Sequence, residues 1–174
     1  DALGNPTVYT YDDYKRITQE EDALGYTTRY WYDGDNNRVQ VRDKNGNDTY
    51  YIYDEWGDVT VITDALGQAT TYAYDANHNP IRRTNPAGYT TYFEYDAHGN
   101  LITTTDPLSG TTVFVYNAWG RVIRSTDANG ATERYAYDTY GHQTVFTDAL
   151  GYVKTFTYDI VGRKTSETDA EGRT

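Results

Sequence analysis

The sequence contains no cysteine, which removes a disulfide framework, a thiolate nucleophile and any cysteine metal site together. Histidine is nearly as scarce, with three residues, His78, His98 and His142. No apolar run approaches the roughly 18 residues of a membrane-crossing helix, and no signal-like stretch follows Asp1. Neither a membrane span nor an export signal is therefore expected within these residues. Apolar residues are also sparse, at 37%, and mean hydropathy is -0.83. Such a composition with high net charge leaves a chain disordered unless something else is buried. Here that something is aromatic: 16% of the chain is Phe, Trp or Tyr, and 20 residues are Tyr. Positive charge is short as well. A net charge of -11 speaks against a nucleic-acid partner, which requires a basic face to displace phosphate counterions.

Internal periodicity organises everything that is present. Cutting at Asp1, Asp22, Asp43, Asp64, Asn85, Asp106, Asp127 and Asp148 gives eight complete 21-residue repeats with no insertion or deletion, and residues 169–174 start a ninth. The eleventh position is always tyrosine: Tyr11, Tyr32, Tyr53, Tyr74, Tyr95, Tyr116, Tyr137 and Tyr158. The twelfth is Asp except at Asn117, and the ninth is always aromatic, from Tyr9 to Phe156. The fourth is Gly except at Ser109, where Gly110 follows one place later. The whole chain reads as one repeat array, 1–174, expected to be a piece of a larger protein.

Positions five to eleven, such as Gln68 to Tyr74, are rich in Thr and aromatics and lack helical spacing, which predicts a strand. With a period of two, positions seven, nine and eleven share a face, as in Thr28, Tyr30 and Tyr32. That face is nearly uniform, Glu133 and Lys154 being its departures, whereas positions eight and ten vary freely. Positions 17 to 21, such as Val59 to Thr63, predict a second, shorter strand. Both connections read D-x-x-G, the chemistry of a type I turn, with Asp first and Gly fourth. In the second turn Asn36 and His78 replace Gly and tolerate left-handed φ, whereas Lys15 fits poorly and predicts that the first hairpin is the most frayed or distorted. Turn positions account for 15 of the 26 acidic residues, so turn chemistry explains most of the acidity.

Each repeat thus forms a β-hairpin, and the fold class is all-β. Eight hairpins in a meander extend about 77 Å along the hydrogen-bonding direction, longer than an open twisted sheet sustains without curling. A curved antiparallel sheet is expected, with an aromatic face that needs an opposing wall, a further coil or another chain.

The run Phe93-Glu94-Tyr95-Asp96-Ala97-His98-Gly99-Asn100-Leu101, repeated in Tyr116 to Val122 and followed by T-D-x-x-G-like turns, resembles the YD or Rhs repeat family over the whole chain. That family includes bacterial polymorphic toxins, the B and C components of insecticidal toxin complexes, wall-associated proteins and teneurins. The resemblance implies a spiral β-cocoon shell that encloses a C-terminal toxic domain, in a secreted or cell-surface bacterial protein. Its partners would be further repeats and the enclosed domain. The family's self-cleaving aspartyl region and toxin domain have no counterpart in these residues, which puts toxic activity outside them.

No catalytic constellation, cofactor fingerprint or metal set stands out. Asp33 to Asn37 begins like a calcium loop, but Lys44 occupies the place of the bidentate Glu. Asn47-Asp48-Thr49 matches a glycosylation sequon and is taken as coincidence. Trp31, Trp56 and Trp119 lie outside the regular aromatic face. They either pack against an adjoining wall or form a recognition surface for carbohydrate or protein. Exposed edge strands add a third alternative, edge-to-edge self-association.

Overall fold

A computed structural model describes residues 6–173; the first turn of the first repeat and the last residue of the ninth lie outside them. The strands alternate between six and five residues, with β1 the shorter exception; the second strand of each repeat has the predicted bounds, and the first starts one position later than predicted, at Ala69 and not Gln68. They are β1 (Val8–Tyr11), β2 (Ile17–Glu21), β3 (Thr27–Tyr32), β4 (Arg38–Arg42), β5 (Asp48–Tyr53), β6 (Val59–Thr63), β7 (Ala69–Tyr74) and β8 (Pro80–Thr84). There follow β9 (Thr90–Tyr95), β10 (Leu101–Thr105), β11 (Thr111–Tyr116), β12 (Val122–Thr126), β13 (Thr132–Tyr137), β14 (Gln143–Thr147), β15 (Val153–Tyr158) and β16 (Lys164–Thr168). The chain divides into two units, one up to Thr90 and one from Thr91. Each is an antiparallel meander in chain order.

Every turn among the described residues closes in the same way. Gly67 N donates to Asp64 O at 3.0 Å and Asp64 N donates to Gln68 O at 3.0 Å, with Gly67 at φ 77. This is a type I turn followed by a left-handed residue, a three-residue hairpin loop whose twist suits the flanking strands. Asn36 and His78 adopt the left-handed conformation at φ 74 and 65, as their side chains allow. Lys15 does so too, at φ 62, and its N donates to Asp12 O at 3.0 Å. The predicted distortion of the first hairpin is therefore absent at this turn. The Asp12 carboxylate accepts from Tyr14 N at 2.9 Å, Arg16 N at 3.0 Å and Arg16 Nε at 2.7 Å, and these bonds hold the loop closed around a residue that disfavours its conformation. In the sixth repeat Ser109 itself takes the left-handed place at φ 69, and Gly110 starts the next strand side by accepting from Asp106 N.

The two kinds of hairpin differ in register. Those between repeats pair regularly, as in Val61 with Thr71 and Thr63 with Ala69. Those within a repeat carry a bulge: Ile52 faces Val61 and Tyr53 faces Val59, leaving Thr60 without an opposite residue. The same shift recurs in all eight. Bulges disrupt the ladder locally and sharpen twist, and nothing in the one-dimensional pattern announced them.

Among the described residues no second layer covers either unit. Among the described residues none is buried. The predicted faces are nevertheless distinct: ninth-position rings from Tyr30 to Phe156 are half-buried against their neighbours, whereas eighth-position side chains from Arg29 to Thr155 are exposed. Cross-strand contact supplies the cover, as where Tyr135 opposes Phe146 with ring centroids 5.5 Å apart.

The left-handed place in the Asp106 turn generates a test. A non-glycine residue there costs about 1 to 2 kcal/mol, offset in part by the extra unfolded-state entropy of glycine. Ser109→Gly should raise stability by about 0.5 to 1 kcal/mol, read as a higher urea midpoint at unchanged slope.

Candidate functional site

The repeated Tyr-Asp pair is the chemical centre of each hairpin, and its two members act in opposite directions along the chain. The tyrosine reaches back. Tyr74 OH donates to Val59 O at 2.8 Å, Tyr53 OH to Arg38 O at 2.8 Å, and Tyr32 OH to Ile17 O at 2.9 Å. In the second unit Tyr116, Tyr137 and Tyr158 donate in the same way to Leu101, Val122 and Gln143. The acceptor is always the residue that enters the bulge of the preceding repeat, where the ladder is interrupted and a carbonyl needs a donor. Tyr95 also has a partner, and Tyr11 is exposed on β1. Partial burial raises the pKa of the Tyr53, Tyr74 and Tyr116 hydroxyls above the ordinary value, so they remain donors.

The aspartate builds the turn ahead. Asp96 Oδ1 accepts from His98 N and Asn100 N at 2.9 Å each, and Oδ2 accepts from Asn100 Nδ2 at 2.9 Å. Donation by the Asn100 side chain, then by its backbone, holds the Asp96 carboxyl below its usual range; Asn79 and Asn47 act likewise on Asp75 and Asp43. Asn117 performs the same task, accepting from Trp119 N and Arg121 N at 3.0 Å, as does Asn85 in the other kind of turn. The position therefore needs an oxygen acceptor and not a charge. Asp33 is engaged similarly by Asp35, Asn37 and the Asn37 side chain.

A further position, the sixteenth, was not singled out by the sequence pattern. Its side chain lies against the Tyr and turn of the following repeat. Arg16 stands 4.6 Å over the Tyr32 ring and donates to Asp33 O at 3.3 Å. His142 stacks on Tyr158 at 4.7 Å, its Nδ1 2.9 Å from Asp138. The Asp58 carboxylate holds His78 Nδ1 at 2.6 Å and raises the pKa of that imidazole, by hydrogen bonding and then by charge. A Cβ at Gly141 would fall on the Arg121 guanidinium, which gives that glycine a packing reason beyond its turn. The signal was available only as a succession of large or polar residues at one register position.

Trp31 lies on the open face of β3, 38% exposed, with the Arg42 guanidinium 5.7 Å above it. Trp56 sits at a turn tip, 71% exposed, edge-on to His78 at 6.2 Å. Trp119 occupies the same turn position in the second unit, 73% exposed. It rims an open groove of about 770 Å³ floored by Phe114 and Tyr116. The groove two repeats on, about 650 Å³, has the same positions, with Val161 in place of Trp119. Among the described residues, no three His, Cys, Asp or Glu side chains converge as a metal set, and the only imidazole–carboxylate pairs, at His78 and His142, belong to turns.

The tyrosine bond should be measurable. Tyr74→Phe removes a donor from a half-buried carbonyl and should cost about 1 kcal/mol in urea denaturation. Tyr50→Phe, on the exposed face, should stay within about 0.5 kcal/mol of the parent.

The sequence pattern of the RHS Repeat family matches residues 11–48, 53–91, 74–112, 95–132, 116–145 and 137–174. No curated protein sequence matches the chain. Among solved structures, the chain is similar to the crystal structure of TcdB2-TccC3, with TM-score 0.73 and 17% identity over 94% of this chain and 10% of that one. It is similar also to the Photorhabdus luminescens Tc holotoxin pore, with TM-score 0.60 and 16% identity over 97% of this chain and 13% of that one. The chain thus spans about a tenth of the length of the structures it matches, and at this identity the likeness carries the fold alone. From the family match along most of its length, the chain belongs to the RHS repeat family.

Proposed function

We propose that the chain is a wall segment of a toxin shell, whose work is to enclose a toxic domain of the parent protein and not to catalyse a reaction. The observation that carries this reading is the coreless sheet: half-buried aromatics fill one face, and no described residue is buried. A single layer of this kind has no interior in which to build a site, but it separates two sides. Uniform repeats extend such a wall without interruption, because every hairpin presents the same edge to the next. The resemblance in fold to toxin-complex components supports the assignment. Its partners are then the remaining repeats and the enclosed domain, and its place is outside the producing cell or on its surface.

The test uses the parent protein with the domain encoded beyond the repeats. That domain should resist protease until the repeats are unfolded by denaturant, and then be cut rapidly. Cleavage at the rate of the same domain produced alone, or a parent with no such domain, would overturn the reading.

A further inference from the structure

The face opposite the aromatic stripe carries two pairs of arginines set directly across from each other. In the first unit Arg29 of β3 faces Arg42 of β4; in the second, Arg124 of β12 faces Arg134 of β13. Directly opposed side chains in an antiparallel pair have Cβ atoms about 5 Å apart, and like charges there destabilise the pairing. The two pairs meet this repulsion differently. Arg42 forks onto the Asp48 carboxylate, Nη2 to Oδ2 at 2.7 Å and Nε to Oδ1 at 2.9 Å, and Arg29 Nε donates to Gln19 Oε1 at 3.1 Å. Arg124 and Arg134 are both exposed and have no ion pair or hydrogen-bonding side chain among the described residues.

Apart from each other, the residues opposite them in the neighbouring strands are uncharged. On the same face Val115 opposes Arg124, Thr147 opposes Arg134, and Val145 opposes Ala136. Two residues along, Thr126 opposes Thr132, their hydroxyls hydrogen-bonded to each other at 3.1 Å and the Thr132 hydroxyl donating to Gly130 O at 3.3 Å. Two guanidinium forks thus lie side by side with no carboxylate opposite either of them.

We propose that Arg124 and Arg134 bind a tetrahedral oxyanion, phosphate or sulfate, either free or as a monoester. Each guanidinium presents parallel N–H donors that match a pair of oxygens. A carboxylate has two oxygens and is filled by one fork, as Asp48 is by Arg42. Two adjacent forks require an anion with more oxygens, which a tetrahedral oxyanion supplies. The site binds and does no chemistry.

The experiment compares thermal midpoints of the chain in sodium phosphate and in sodium chloride at matched ionic strength, because salt alone screens a repelling pair. Phosphate should raise the midpoint beyond chloride, as a ligand of the folded state does. The double variant Arg124→Thr/Arg134→Thr should begin with a higher midpoint in low salt and lose the phosphate-specific shift. Arg82→Thr, at an exposed arginine opposite Ala73, should keep it. Phenyl phosphate distinguishes the sources: a shift with the ester alone assigns an esterified group, and a shift with both assigns the oxyanion itself. Equal midpoints in all matched salts, or a phosphate shift retained in the double variant, overturn the proposal. Should that variant not fold, the Nε–H resonances of the unsubstituted chain decide. Phosphate-induced movement at Arg124 and Arg134 supports the site, and its absence there contradicts it.

Discussion

A sheet one layer thick has no interior, so each hairpin can be held only by the hairpins beside it, and that constraint accounts for most of what is conspicuous in these repeats. The ladder bonds are part of the answer. The bulge within every hairpin interrupts the ladder where a carbonyl is left to find a donor, and the tyrosine of the next repeat provides it. The adjoining aspartate closes the turn ahead with backbone N–H bonds. A Tyr-Asp pair therefore ties its repeat to the one before and shapes its own return. An insertion between the tyrosine and the carbonyl fifteen residues earlier would break the link, which gives a physical reason for repeats of one fixed length.

The same constraint sorts charge from function. Fifteen turn carboxylates make the chain acidic, yet Asn85 and Asn117 stand in for them bond for bond. Negative charge is thus a by-product of acceptor chemistry at the hairpin tips. The strand faces carry their own pattern, aromatic and half-buried at the ninth positions on one side, mixed in composition and exposed at the eighth positions on the other. It is on the second that an unbalanced arginine pair appears. A wall whose two sides differ in this way suits the enclosure proposed for it.

Much of this was legible before any coordinates. The period placed the strands, the turns and the uniform face, because side-chain alternation and left-handed φ are local properties; Asn36 and His78 behaved as their chemistry required. Three things were not. The bulge depends on pairing between strands, so neither it nor the tyrosine's acceptor can be read from one strand alone. Lys15 was judged by its intrinsic dislike of left-handed φ, without the three bonds to Asp12 that override it. Gly110 drew attention one place away from Ser109, where the turn geometry sets the demand. The three tryptophans were grouped by what they share as residues, and the fold distributes them between a strand face and turn tips.

Stability built from neighbours has a distinctive signature. In native-state hydrogen exchange at low denaturant, amides should open in hairpin-sized groups, each with its own free energy, as expected when stability is a sum of repeat and interface contributions. Exchange of all strand amides through one global unfolding, with a single free energy and a single denaturant dependence, would contradict the account and point to a shared core that this sheet does not contain.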